Sequence, residues 1–138
     1  MKLLILEDEL ILQFLYTKVI KLKFGGKIEL FCVGSIKEAL KLCEEHTFDL
    51  FVLDFNLPDG TVVDFLAKVK QFTPSIVISA HDKNVLVDFT KNFKQVKECY
   101  SKPIDINTFV EIIDFYLDAN DKYECAPSIF FKESSYAF

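Results

Sequence analysis

Three short stretches of this chain are apolar at every position: Leu3-Leu4-Ile5-Leu6, Leu50-Phe51-Val52-Leu53 and Ile76-Val77-Ile78. A strand with one wet face alternates apolar and polar residues, so unbroken runs this short read as strands covered on both faces. Two further strand candidates are mixed. Lys27-Ile28-Glu29-Leu30-Phe31-Cys32 alternates at its start, and Val96-Lys97-Glu98-Cys99-Tyr100 carries charges. Both read as sheet edges.

Helical patterns fill the intervals. Ile11, Leu15, Val19 and Leu22 fall on one stripe at helical spacing and predict the buried face of a first helix. Ser35-Ile36-Lys37-Glu38 has the form of a capping box ahead of Ala39, Leu40 and Cys43. Val62, Phe65, Leu66 and Val69 mark a third helix, and Leu86, Phe89 and Phe93 a fourth. Asp105 is placed to cap a fifth, with Ile104 and Phe109 as a hydrophobic staple and Ile113 and Leu117 continuing the stripe. Strict alternation of strands and helices predicts an α/β fold with a parallel sheet and helices on both faces. With the second and fifth strands as edges, the strand order is 2-1-3-4-5. Right-handed crossovers then put helices one and five on one face and the other three opposite. The expected domain spans residues 1–119, and residues 120–138 form an aromatic extension without clear periodicity.

Composition narrows the function. The net charge is −5, all 16 basic residues are lysine and there is no arginine. Arginine is the usual reader of phosphate and guanine, so direct nucleic-acid binding is not expected. No apolar run approaches the roughly 20 residues that span a bilayer, and the N-terminus turns acidic at Glu7, too soon for a signal peptide. The expectation is a soluble, cytoplasmic protein without membrane insertion. Cys32, Cys43, Cys99 and Cys125 show neither a C-x-x-C pair nor a zinc-like spacing with His46 or His81; they read as reduced thiols serving as small hydrophobes.

In such a sheet a ligand binds outside the carboxyl ends of the strands, where strands one and three diverge. The residues at those ends are Glu7-Asp8-Glu9, Asp54-Phe55-Asn56-Leu57-Pro58-Asp59-Gly60, Ser79-Ala80-His81-Asp82 and Tyr100-Ser101-Lys102-Pro103. Each has a bland reading: Asp8 as a helix cap, Asp54 as the start of a turn, Ser79 as a small strand-end residue, Lys102 as a solvated lysine. Together they bring three carboxylates, a hydroxyl and a lysine to one rim. Clustered carboxylates raise one another's pKa unless a cation is present, and an oxygen-only set suits a hard cation such as Mg2+. Asp54 is the natural nucleophile, since a carboxylate can form an acyl phosphate. Lys102 would neutralise phosphoryl charge, and Ser79 would donate a hydrogen bond to the group once attached.

These four motifs, in this order and on these elements, resemble the receiver domain of bacterial two-component response regulators, over about residues 1–119. The resemblance implies a flavodoxin-like fold. It implies Asp54 as phospho-acceptor, Asp8 as direct Mg2+ ligand, Glu7 as its water-mediated neighbour and Asn56 as donor of a backbone carbonyl. It also implies Ser79 as the switch hydroxyl and Lys102 as the phosphate-pairing lysine, with Ala80 and His81 beside them. Such a domain is not a turnover enzyme. It takes a phosphoryl group from a histidine kinase or phosphotransfer protein and switches contacts with a downstream protein target. One departure stands out: the family often has an aromatic three residues before the lysine, where this chain has Cys99, with Tyr100 one place later. Signalling is therefore expected to move the loop around Ala80 to Lys83 with little change at Cys99.

Three other readings fit less well. A Mg2+-dependent phosphatase with an Asp nucleophile usually carries D-x-D on its first core strand, whereas Asn56 stands two residues after Asp54. A flavin module would want a phosphate loop where Glu7-Asp8-Glu9 stands. A receiver-like docking scaffold without phosphorylation would not need all the acceptor-site residues. The tail holds Tyr123, Ile129, Phe130, Phe131, Tyr136 and Phe138. Burying even two of these Phe would contribute a few kcal/mol at about 25 cal/mol per Å2, so the tail is expected to dock on its own domain or on a second copy as a homodimer.

Overall fold

The computed structural model describes residues 1–124. Strand β1 (Lys2–Leu6) leads to α1 (Leu10–Phe24), a 3-10 turn (Gly25–Lys27) and β2 (Glu29–Val33). Next come α2 (Ile36–Glu45), β3 (Leu50–Leu53), a two-residue ladder of Asn56–Leu57 with Gly60–Thr61, and α3 (Val62–Lys68). The chain continues through β4 (Ser75–Ser79), α4 (Lys83–Thr90), β5 (Val96–Ser101) and α5 (Ile106–Glu124). All pairings in the five-stranded sheet are parallel, in the order β2-β1-β3-β4-β5, as the apolar runs predict.

The sheet separates two cores. Leu4, Leu6, Phe51, Leu53, Val77 and Cys99 point toward α2, α3 and α4 and pack on Ile36, Phe65 and Leu86. Their alternate neighbours Leu3, Ile5, Leu50, Val52, Ile76 and Ile78 meet Tyr16 and Ile20 of α1 and Phe109, Ile113 and Leu117 of α5. This is why β1, β3 and β4 are apolar throughout: both faces of each are covered. Ser35 caps α2 by accepting from Glu38 N at 3.2 Å. Asp105 accepts from Thr108 N at 3.2 Å at the start of α5, where Ile104 and Phe109 pack in the same cluster.

Two expected faces are corrected. On α1, Ile11 and Leu22 are each 82% exposed and Leu15 is also exposed, while Tyr16 and Ile20 are buried. Leu10, Ile11, Phe14, Leu15 and Leu22 are apolar on the outer side as well, so spacing alone did not pick the inner stripe; the stacking of Tyr16 on Phe109, rings 4.7 Å apart, lies on the buried side. On α4, Leu86 is buried, but Phe89 is exposed and Phe93 lies beyond the helix end. Thr90 takes the inward place instead, its hydroxyl donating to Leu86 O at 2.7 Å.

Helix α5 runs on past Ala119 to Glu124, and Asn120 Nδ2 donates to Asp49 Oδ1 at 3.2 Å. The docking expected of the aromatic tail falls on residues that include 125–138, outside those described. Cys32, Cys43 and Cys99 are free thiols. Burial pushes the thiols of Cys32 and Cys43 up to about 11, so neither is a thiolate nucleophile near neutral pH. Cys125 lies outside the described residues.

Candidate functional site

The ends of β1, β3 and β5 bring the acidic and basic residues together. Leu6 O accepts from Asp54 N at 2.8 Å and Val33 O accepts from Glu7 N at 2.9 Å, so the sheet ladder itself aligns the two strand ends. Glu7 and Asp54 are buried and Asp8 is exposed. One carboxylate oxygen from each of Glu7, Asp8 and Asp54 lies within 4.8 Å of the others. Lys102 Nζ reaches into this group, 2.7 Å from Glu7 Oε1, 3.1 Å from Asp54 Oδ2 and 3.5 Å from Glu9 Oε1. The second oxygen of Asp54, Oδ1, accepts from Phe55 N at 2.7 Å.

The electrostatics follow from burial and crowding. Burial pushes the Glu7 carboxyl up to about 7, against the opposing hydrogen bonds from Lys102 and Glu9 N and with the Asp54 charge adding to the rise. Burial also disfavours the Lys102 charge, but the hydrogen bond to Glu7 and the charges of Asp54 and Glu7 outweigh it and hold the ammonium above its usual range. One lysine thus faces three carboxylates in a partly desolvated pocket. That imbalance, with an all-oxygen donor set, fits a hard divalent cation.

Ser79 is buried at the end of β4, and its Oγ lies 3.3 Å from His81 Nδ1. Ser79 O accepts from Lys102 N at 2.6 Å, which ties the serine strand to the lysine. Ala80 is exposed at the rim and lines a cavity of about 450 Å3 with Glu9, Leu15, Tyr16, Lys102 and Ile104. The Lys102–Pro103 peptide is cis. Asn56 is exposed in the short ladder that follows Asp54. Each residue named from sequence as a site candidate therefore lies at the carboxyl edge of the sheet or on the strand leading to it.

Cys99 and Tyr100 take opposite faces. Cys99 is buried beneath α4, its Sγ 3.6 Å from Thr90 Oγ1. Tyr100 packs on the α1 and α5 side, its hydroxyl bonded to Glu98 and its ring under Lys83 Nζ at 5.8 Å. The β4–β5 ladder does shift register between Ser75 and Ile76, but from there Val77 pairs with Cys99, Ile78 with Tyr100 and Ser79 with Ser101. The irregularity lies upstream, so it does not carry Tyr100 into the place of Cys99.

Some contributors were not legible as such. Asp59 accepts from Ile36 N at 2.9 Å and Lys37 N at 3.0 Å, fastening the loop after Asp54 to the start of α2; these bonds hold its carboxyl below the usual range. The Pro-Asp-Gly turn was visible, but a partner 23 residues away was not. Gly60 has φ +149°, and a Cβ there would sit 2.6 Å from Asp64 Oδ2, so only glycine fits the turn. Asp64 closes a capping box with Thr61. Gln13 donates to Glu7 O, and Ser101 Oγ donates to His81 O at 2.9 Å.

The doubly wound parallel sheet thus gathers an aspartate, two further acids, a hydroxyl and a lysine at its switch point, an arrangement that fits a hard cation. The response regulator receiver domain family matches residues 3–114, and the chain belongs to that family, whose members are generally signalling domains. Solved structures agree on the fold. A CheY-like receiver domain protein from Methanospirillum hungatei JF-1 is 21% identical, with TM-score 0.73 over 88% of this chain and 96% of its own. The signal receiver domain of a putative Luxo repressor protein from Vibrio parahaemolyticus is 25% identical, with TM-score 0.72 over 89% and 94%. The N-terminal domain of an uncharacterised protein from Wolinella succinogenes is 20% identical, with TM-score 0.75 over 87% and 96%. Comparison with curated proteins gives no match.

Proposed function

We propose that this domain accepts a phosphoryl group on Asp54 from a phosphohistidine donor and uses it to switch protein contacts. The observation that carries the reading is the setting of Asp54: a strand-end carboxylate 3.1 Å from Lys102 Nζ and within 4.8 Å of Glu7 and Asp8 oxygens. An Asp54 oxygen attacks phosphorus, a P–O bond forms, the P–N bond to the donor imidazole breaks, and that imidazole leaves with the electron pair and is protonated. Lys102 places a positive charge beside the phosphoryl oxygens as they transfer. Phe55 N–H orients the carboxylate from the other side. Asp8, Asp54 and the Asn56 carbonyl would hold Mg2+, with Glu7 one water removed. The cation would supply charge neutralisation to the transferring group.

Leu12 and Leu15 of α1 line the cavity beside Glu9 and Lys102, and Ile11 and Phe14 of the same helix are exposed, an apolar flank on which a phosphodonor protein would dock. The same reading places the protein in the cytoplasm with histidine kinases or phosphotransfer proteins; among the described residues no helix is long and apolar enough to cross a membrane.

Asp8→Ala removes an exposed carboxylate from the cation site without touching either core. The Mg2+ concentration needed for half-maximal labelling by acetyl phosphate should rise at least about tenfold, since even partners one shell out from a metal are worth about that much. Mg2+ titration with intact-mass readout measures it; an unchanged requirement would place the cation elsewhere.

A structural response is expected in the loop from Ala80 to Lys83 and not at Cys99 or Tyr100. Cys99 is small and held under Thr90, and Tyr100 faces the other core. Structures with and without beryllofluoride, a phosphoryl mimic, should differ at residues 80–83. A large rotation of Tyr100 between them would refute this route.

A further inference from the structure

We propose that His81 carries the signal of phosphorylation from Ser79 to helix α4, taking the part that the small, buried Cys99 does not fill. The proposal rests on the reading of Asp54 as phospho-acceptor and adds a specific route out of that site.

The argument begins with one proton. A serine hydroxyl has a single O–H to donate. Ser79 Oγ lies 3.3 Å from His81 Nδ1; we assign the ring proton to Nε2, the tautomer in which Nδ1 accepts the hydroxyl's hydrogen. A phosphoryl group on Asp54 offers only acceptor oxygens to the same hydroxyl. Ser79 therefore cannot donate to the phosphoryl group and to His81 at once. Phosphorylation takes the donor from His81, so the two bonds are alternatives and the ring has two states.

The ring is also mechanically connected. Its centroid lies 4.8 Å from that of Phe55, the residue directly after Asp54, and Phe55 lies 5.2 Å from Phe89 of α4. Phe55 is buried and Phe89 is half exposed on the outer side of α4. The His81 carbonyl is held by Ser101 Oγ at 2.9 Å, so the backbone is anchored and the ring can turn about its side-chain bonds without moving it. Releasing Nδ1 lets the ring leave its place against Phe55, and Phe55 and Phe89 repack into the space. The Cys99 route lacks a comparable lever: its thiol has no ring to swing, and Thr90 already occupies the position in front of it. His81 acts through Ser79 and Phe55 as a positioning residue.

Two substitutions separate the bond from the ring. His81→Phe keeps an aromatic ring on Phe55 and removes the nitrogen. His81→Asn keeps a polar group and removes the ring. Both sit on the rim, and the thermal midpoint of each confirms folding. The chain is treated with beryllofluoride and Mg2+, and amide hydrogen exchange is followed across residues 83–90; labelling by acetyl phosphate is measured separately by intact mass. Wild type should change its exchange in α4 on adding the mimic. In both variants labelling should persist, while the mimic-dependent change in α4 falls about fivefold, the population shift that one net hydrogen bond supplies. A response in α4 as large as wild type in both variants would overturn the proposal, as would a labelled wild type whose α4 does not respond. Failure of wild type to label at all would instead remove the phospho-acceptor reading on which it rests.

Discussion

Asp54→Asn should abolish labelling by acetyl phosphate and Mg2+, down to background, and should leave the fold in place. The loss should be complete because an amide is not a nucleophile that forms an acyl phosphate, and no neighbouring acid has the same setting: burial pushes the Glu7 carboxyl up to about 7, and Asp8 is exposed at the mouth. The fold persists because the change is nearly isosteric and Oδ1 can still accept from Phe55 N, as it does at 2.7 Å in the native protein. Removing one of the crowded carboxylates also relieves repulsion on Glu7, where the Asp54 charge adds to the raised pKa. Intact mass and a thermal melt check both halves. Labelling of Asp54→Asn equal to wild type would move the acceptor to another residue.

The largest stability effect is expected in the core under α2 and α3. Phe51 is fully buried in β3, its ring 5.3 Å from that of Phe65 in edge-to-face contact and 6.0 Å from Phe48. Phe51→Ala deletes a ring that the surrounding strands cannot collapse to replace, and should cost about 3–5 kcal/mol, a large part of the roughly 5–15 kcal/mol of a typical domain. In urea the midpoint should fall sharply while the slope stays near wild type. Phe72, 67% exposed, provides the control: its change to Ala should stay within about 0.5 kcal/mol. Equal costs at the two positions would contradict the assignment of the core.

What could be read before the fold was seen follows the strength of the physical signal. The central strands announced themselves because burial on both faces leaves no polar position, and from them came the sheet order and the meeting of Glu7, Asp8, Asp54, Ser79 and Lys102 at one edge. Helix α1 lies where its spacing predicts and Val19 packs on the core, but its inner face is hard to read because it is apolar on nearly every side; Ile11 and Leu22 look like core residues until Tyr16 and Ile20 are seen to occupy that face. Helix α4 was overextended because Phe93 continues the spacing although the helix ends at Thr90. Asp59 and Gln13 act through backbone partners distant in sequence or hidden at a strand end, and hydropathy has no way to show such contacts. The contact of His81 with Ser79 was near at hand, two residues apart, yet its meaning depends on Phe55 and Phe89 converging from other elements.

The central claim is that the acidic rim is a Mg2+-dependent phospho-acceptor, and intact-mass spectrometry of the wild-type chain with acetyl phosphate tests it most directly. With Mg2+ the chain should gain the mass of one phosphoryl group, and with the metal chelated the gain should vanish. No adduct at any Mg2+ concentration, or an adduct indifferent to the metal, would contradict the account.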